Sequence, residues 1–361
     1  MATPLAANGQ NTGAYERMAD DASARTFDRP EIFLSLGLSL VKQDKGAMVE
    51  ALIAETLGRH PDNPLYHAIA RMIRSHKVPR WHAVMLADDP RNAAYSAAIA
   101  AVAPGRVVLD IGTGSGLLAM IAARAGAERV VACEANPVVA EAARRIVAAN
   151  GLDHKITIHA CHSSKLDRSM IGGEGAELVM SEIFAADIVG EGVMPALAHA
   201  RAELAAPDAV FLPEVATLRV ALAELDPPPF RPLAAEGFDL SGFEALYPAR
   251  EFISDRPEAL TLRTEPADLL RLDWSSPDPL PVTGTAQITV AAKGGRANVV
   301  AQWLRIEFGS GVAYENAPHT MPGAHWTPLC HALHAPISPA AGAPVTIGAF
   351  YHTDQLALWA A

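Results

Sequence analysis

Two groups of residues in this chain have the types and spacing to do chemistry, and a third only resembles such a group. The run Asp110-Ile111-Gly112-Thr113-Gly114-Ser115-Gly116 places three glycines at alternate positions behind an acid, and Glu134 follows at the end of the next apolar run. Without Cβ atoms, such glycines let the backbone approach a ligand and aim its N–H groups at it. Glu134 is placed to accept both hydroxyls of a ribose. Dinucleotide enzymes share these features, and Gly114-x-Gly116-x-x-Ala119 imitates their fingerprint. The acid two places before the first glycine favours S-adenosylmethionine instead, because its sulfonium and amino groups call for a carboxylate rather than a phosphate nest. The second group is Glu182 and Glu191, nine residues apart across a hairpin-like loop, which can converge on one cation. His159, Cys161 and His162, and likewise Cys330, His331 and His334, have the composition of metal ligands. On strands, however, neighbours alternate faces, so neither set converges and no metal site is expected.

The elements that must carry these residues read clearly. RVVLDIG is a short buried strand before the glycine turn, LLAMIAARAGA a helix closed by Gly126, RVVACEA a second strand, and PVVAEAARRIVAANG a second helix closed by Gly151. That order opens a doubly wound parallel sheet, continued by KITIHAC, AELVMSEIF and AVFLP with a helix around VMPALAHARAEL. The fold class is therefore α/β, with a Rossmann-like domain over residues 81–212. Past Pro213 the texture changes to alternating strands punctuated by Pro and Gly, predicting a β-barrel domain over 213–361 from which FEALYPAREFISDRPEALTL projects as an arm. Residues 1–28 read as a flexible leader, and 29–80 as a helical layer whose three segments repeat apolar residues at three and four. One step of that layer looks like a single tetratricopeptide unit, which alone is no array, so it is assigned to packing or dimerisation.

Composition narrows the partners. A net charge of -11 argues against nucleic acid or an anionic membrane and favours a cationic substrate. Three widely spaced cysteines suggest no disulfide framework, and the N-terminus shows no secretory pattern, so the expected location is cytoplasmic.

The stretch from His82 to Pro213 resembles the protein arginine methyltransferases, most closely the monomethylating, type III branch numbered seven. The residues that carry the resemblance are His82-x-x-Met85-Leu86-x-Asp88 with Arg91, then LDIGTGSGLLAMIAARAGA, Ser181-Glu182-Ile183-Phe184, Gly190-Glu191-Gly192 and Pro195, the loop Ala324-His325-Trp326, and IGAFYHTDQLALWA at the end. The resemblance implies S-adenosyl-L-methionine as methyl donor and a guanidinium as acceptor. Two carboxylates suit that planar, permanently charged fork, holding it bidentately. By the same resemblance His325 takes the released proton and Asp88 orients it. Arg91 clamps the methionine carboxylate, Met85 packs near the sulfonium, and Ser163 joins the cofactor residues. Phe184 and Trp326 face the acceptor, with Phe184 restricting the space beside the reacting nitrogen and so favouring a monomethyl product. The acceptor is expected to be free L-arginine or an arginine-containing peptide, with a slight preference for the free amino acid, and the chain is expected to be a homodimer. A dinucleotide enzyme, with a second nucleotide half, and a non-catalytic binding relative are the competing readings.

Overall fold

The computed structural model describes residues 27–228, 234–246, 250–253, 257–276, 278, 281–309, 311–320 and 324–361. The flexible leader lies almost wholly outside them. Three helices come first: α1 (Pro30–Lys42), α2 (Gly46–Arg59) and α3 (Pro64–Ser75). Asn63 starts α3, accepting a hydrogen bond from Leu65 N at 3.0 Å ahead of Pro64 at the first helical position. Their apolar faces close on Phe33, Val49, Ile53, Ile69 and Ile73, a small core that also takes in Val138.

Next come α4 (Trp81–Leu86) and α5 (Asp89–Val102), and then the parallel sheet. Its strands are β1 (Val107–Ile111), β2 (Arg129–Cys133), β3 (Ile156–His159), β4 (Ala176–Ser181) and β5 (Ala205–Leu212), all parallel, in the order β3-β2-β1-β4-β5. Every residue of β1 is buried, as befits a central strand covered by helices on both faces. Helices α6 (Leu117–Arg124), α7 (Pro137–Ala149), the short α8 (Arg168–Ile171) and α9 (Val193–His199) make the crossovers.

Antiparallel sheet follows. Strands β6 (Val215–Leu225), β9 (Arg250–Phe252), β10 (Leu260–Leu262), β11 (Ala267–Asp273), β13 (Ala297–Glu307), β14 (Ala313–Glu315) and β15 (Leu329–Ile337) form one sheet. Strands β12 (Thr283–Ala291), β16 (Pro344–His352) and β17 (Gln355–Ala360) form another, and β7 (Ala234–Ala235) pairs with β8 (Phe238–Asp239) as a separate ribbon. β11 and β14 carry no distinct signal in the sequence. The expected arm falls partly outside the described residues. Beyond β1 the sheet carries β4 and β5 before the chain passes into antiparallel sheet, short of the three strands of a full second nucleotide half.

The parallel and antiparallel sheets share one core. Tyr95 packs edge-on against Phe308 at 4.6 Å, and Phe184 stacks on Trp326 at 4.8 Å, with Trp274 and Tyr314 beside them. The helical layer is joined differently, by close approach. A Cβ on Gly46 would stand 2.2 Å from the carbonyl oxygen of Pro137, so α2 seats on the start of α7 only because position 46 has no side chain. Glu50 strengthens that seat with Arg74 at 2.7 Å and Arg145 at 2.7 Å.

Two substitutions in α2 test this seat. Gly46→Ala should destabilise by about 1–3 kcal/mol through overpacking. Gly58→Ala, where a Cβ meets nothing within 4 Å, should stabilise by about 1 kcal/mol through helix propensity. Thermal melts of the two variants that shift in the same direction would contradict the seat.

Candidate active site

The glycine turn folds as its composition requires. Gly112, Gly114 and Gly116 have φ of 73°, 55° and 83°, a region costly to side-chain-bearing residues. At Gly112 a Cβ would also meet Ile183 Cγ2 at 2.3 Å. The amides of Gly112 and Thr113 donate to the Cys133 carbonyl at 2.9 and 3.0 Å, tying the turn to the end of β2. Glu134 receives Gly114 N at 3.0 Å on Oε2 and Asn136 N at 2.8 Å on Oε1. Each carboxylate oxygen retains a lone pair for a ligand hydroxyl.

A cleft of about 310 Å³ opens over this turn. Among its lining residues are Trp81, His82, Met85, Gly112, Gly114, Glu134, Ser163, Glu182, Ile183 and Glu191. Trp81 and His82 stack at 4.0 Å on α4, forming an aromatic wall that the motif did not announce. Burial lowers the pKa of His82 despite the acids nearby, so the ring is neutral. This donor set fits an adenosine with a ribose diol at one end and a cationic amino-acid moiety at the other.

Below the cleft runs a chain of charges. Asp88, 2% exposed, caps α5 by accepting Arg91 N at 3.1 Å on Oδ1. Its Oδ2 takes the Tyr314 hydroxyl at 3.0 Å, the His325 amide at 3.0 Å and His325 Nδ1 at 3.3 Å. His325 Nε2 reaches Glu182 Oε1 at 3.0 Å, and Arg91 Nη2 donates to Glu182 Oε2 at 2.6 Å. Burial opposes the charged imidazole, but its bonds to Asp88 and Glu182 outweigh that cost and raise its pKa. Burial likewise works against the Asp88 carboxylate, and the His325, Arg91 and Tyr314 donors reverse it, leaving the pKa lowered. Both ring nitrogens face carboxylates, which an imidazolium satisfies and a neutral ring cannot.

Glu191 completes the picture from the opposite wall. It sits at φ 60°, a left-handed conformation unusual for glutamate, between Gly190 and Gly192. It opens onto the cleft, yet the surrounding walls withdraw enough water, and Glu182 adds enough negative charge, to push its carboxyl up to about 7.

Two expectations, that Phe184 and Trp326 face the acceptor, need correction, and the other expected residues are placed as follows. Phe184 is 2% exposed and stacked between Trp326 and Trp274, so it belongs to the core and Ile183 faces the cleft in its place. Trp326 is buried as well, its indole N–H donating to the Phe184 carbonyl at 3.0 Å, and therefore shapes the loop without facing an acceptor. Asp110 lies beneath the turn, taking the Thr113 hydroxyl at 2.6 Å. Burial raises its pKa to about 6. Arg91 is engaged with Glu182 and lies under the Asn92 side chain at 2.8 Å and over the Tyr95 ring at 4.8 Å, away from the cleft lining. His325 has both ring nitrogens bonded to carboxylates, so neither is free to take a proton in this arrangement. His331 bonds Gln302 Oε1 at 2.8 Å.

The geometry also brings forward residues the motifs did not indicate. Tyr95 donates to the Ser181 carbonyl at 3.1 Å, fixing the end of β4 just before Glu182. Gln302 donates to the Ala186 carbonyl at 2.8 Å, and Arg250 to Asp187 Oδ2 at 2.9 Å, so two barrel strands grip the loop between the glutamates. Asn316 Nδ2 bonds the Trp326 carbonyl and holds the His-Trp loop. None of these carries a spacing signal.

A parallel sheet in this order, with a glycine turn, an acid for a ribose and a pair of carboxylates beside it, defines a methyltransferase of the Rossmann-like class. Residues 96–205 match the family model described as ribosomal protein L11 methyltransferase (PrmA). The chain is 35% identical over 325 residues to an arginine N(omega)-methyltransferase of Streptomyces achromogenes subsp. streptozoticus, covering 85% of this chain and 86% of that protein. It is 34% identical over 251 residues to protein arginine N-methyltransferase 7 of Danio rerio, covering 63% of this chain and 36% of that one. Its fold is similar to that of the Trypanosoma brucei PRMT1 enzyme–prozyme heterotetrameric complex with AdoHcy, with a TM-score of 0.68, 23% identity and coverage of 79% and 93%. The chain belongs to the protein arginine methyltransferase family, as an S-adenosylmethionine-dependent arginine N-methyltransferase.

A guanidinium needs Glu191 ionised, and a carboxyl raised to about 7 is protonated below that pH. The kcat/KM for the acceptor should therefore fall about tenfold per pH unit below 7 and level off above it. A profile flat from about pH 5.5 to 8 would show that this ionisation does not govern acceptor capture.

Proposed function

We propose that the chain transfers one methyl group from S-adenosylmethionine to the guanidinium of free L-arginine, giving N-omega-monomethylarginine. The observation that carries this reading is the match along nearly the whole chain to a relative named for arginine itself, set against partial matches to relatives named for protein arginine. For a single transfer, the support is a cleft floor filled by Met85 and Ile183 beside the two glutamates.

S-adenosylmethionine, when bound, supplies an electrophilic methyl carbon on sulfur. Glu134 and Ser163, with the Gly112–Gly114 backbone, hold the nucleoside end. Arg91 turns to the methionine carboxylate, which frees Glu182 Oε2 for the acceptor. Glu182 and Glu191 then grip the guanidinium from two sides and draw its positive charge toward the nitrogens they bond, leaving lone-pair density on the third. Their fixed placement orients that nitrogen, and orientation is worth several kcal/mol in a displacement of this kind. As the new N–C bond forms, the methyl–sulfur bond breaks with its electron pair left on sulfur, S-adenosylhomocysteine departs, and the guanidinium must lose a proton. Glu191, poised near neutrality, is the carboxylate suited to receive it, while the Asp88–His325 pair holds Glu182 in place. In this reading the enzyme works as a cytoplasmic homodimer with neither nucleic acid nor membrane as partner. The net charge of -11 supports that, and no described helix is long and apolar enough to cross a membrane. Methylation of peptide arginine is the alternative acceptor reading.

Mass spectrometry of reactions containing purified protein, labelled S-adenosylmethionine and either L-arginine or an arginine- and glycine-rich peptide separates the two. A single label on L-arginine is expected; label on the peptide alone would make the enzyme protein-modifying. Glu182→Gln and Glu191→Gln should each lower kcat by about 100-fold or more while leaving S-adenosylmethionine affinity within about threefold, measured by calorimetry. Near-normal turnover in either variant would exclude the paired-glutamate mechanism.

A further inference from the structure

A free amino-acid acceptor brings a negative charge that a peptide arginine lacks. Its α-carboxylate needs a cation about one arginine length from the two glutamates, roughly 7 Å for an extended side chain. Of the lysines and arginines described near the site, Lys77 lines the cleft, Arg91 pairs with Glu182, and Arg250 pairs with Asp187 between the two glutamates. Lys77 also pairs with Asp44 at 3.1 Å, and its carbonyl accepts from Asn136 Nδ2 at 3.0 Å, which puts it at the Glu134 end. Arg91 is 2% exposed, pairs with Glu182 at rest and is taken by the methionine carboxylate in the reading above. Arg250, on β9, is left.

Its side chain is 44% exposed and commits Nη1 to Asp187 Oδ2 at 2.9 Å. The other oxygen of Asp187 accepts from Gly190 N at 3.0 Å, and Gly190 directly precedes Glu191. One buried carboxylate therefore separates the Arg250 guanidinium from the backbone that presents Glu191. That carboxylate is also close enough to add to the negative field on Glu191. Opposite Arg250 across the β9–β15 ladder stands His331, buried on Gln302 and held neutral, its pKa pushed down to about 4 by burial and by Arg250 itself. It does not compete as a cation. A guanidinium has five N–H donors in a fork, so bridging Asp187 and a second carboxylate is within its capacity.

We propose that Arg250 is a specificity-determining residue that receives the α-carboxylate of the acceptor and so distinguishes free L-arginine from guanidines that lack one. This rests on the free-arginine reading above, and the experiment separates the two. The full-length enzyme and its Arg250→Ala and Arg250→Lys variants are assayed with L-arginine and with agmatine, its decarboxylated analogue. The wild type should prefer L-arginine. In Arg250→Ala the ratio of kcat/KM for L-arginine to that for agmatine should fall between about ten- and a hundredfold, the range expected for a charged hydrogen bond, and Arg250→Lys should restore part of it. Any loss common to both acceptors reports the grip on the Asp187 loop and cancels in the ratio. A ratio unchanged in Arg250→Ala, or a wild type indifferent to the carboxylate, overturns this proposal while leaving the free-arginine reading standing. A wild type that methylates only peptide overturns both.

Discussion

The site depends on one buried interaction, the hydrogen bond between His325 and Glu182, because it joins elements from both halves of the molecule at the point of chemistry. Glu182 leaves the end of a parallel strand, and His325 arrives on a barrel loop. Asp88, at the entry to the helix that precedes the first strand, anchors the imidazole from behind. Removing any one partner would strand a buried charge, which costs several kcal/mol, more than the net contribution of the pair itself. The chain of Asp88, His325, Glu182 and Arg91 alternates in sign, so each charge is compensated on the side facing away from the cleft and the whole can stay dry. Arg91 on Glu182 shows, besides, that this carboxylate already binds a guanidinium, here one of the protein's own.

The barrel's contribution is to make the glutamate loop rigid. Between Glu182 and Glu191 the chain has no regular structure and includes Ile188 and Glu191 at positive φ. Left alone, such a segment would sample many conformations. Gln302 and Arg250 hold it from β13 and β9, Trp326 bonds its carbonyl at Phe184, and Asp187 caps the turn into Gly190. The conformational strain at Glu191 is thereby sustained by contacts from the antiparallel sheet.

How much of this was legible in the sequence follows from physics. The parallel strands were, because central strands covered on both faces are short continuous apolar runs, and RVVLDIG and RVVACEA could hardly be anything else. The glycine turn was, since only glycine accepts three positive φ angles within five residues. Phe184 was not. Its position in the motif locates it in the chain, but a loop has no fixed side-chain period, so nothing local says that Ile183 turns to the cleft and Phe184 to the core. The charge state of His325 was hidden for another reason: it depends on carboxylates 237 and 143 residues away, and no local pattern encodes their distance. The grip of Arg250 on Asp187 is of the same kind. β11 escaped notice because its apolar residues Leu269, Leu270 and Leu272 do not alternate, and β14 because three residues are too few to show a period.

The contrast between the two ways neighbours attach to the parallel sheet bears on how this chain can be rearranged. The barrel shares its aromatic core with the sheet, through Phe184, Trp326, Tyr314 and Phe308, so a cut at Pro213 would expose apolar faces on both pieces. The first three helices bury their own core and touch the rest through a narrow seat at Gly46 and Val138. In modular terms the helical layer is an appendage with a core of its own, whereas the other two parts cannot be separated without opening a shared one.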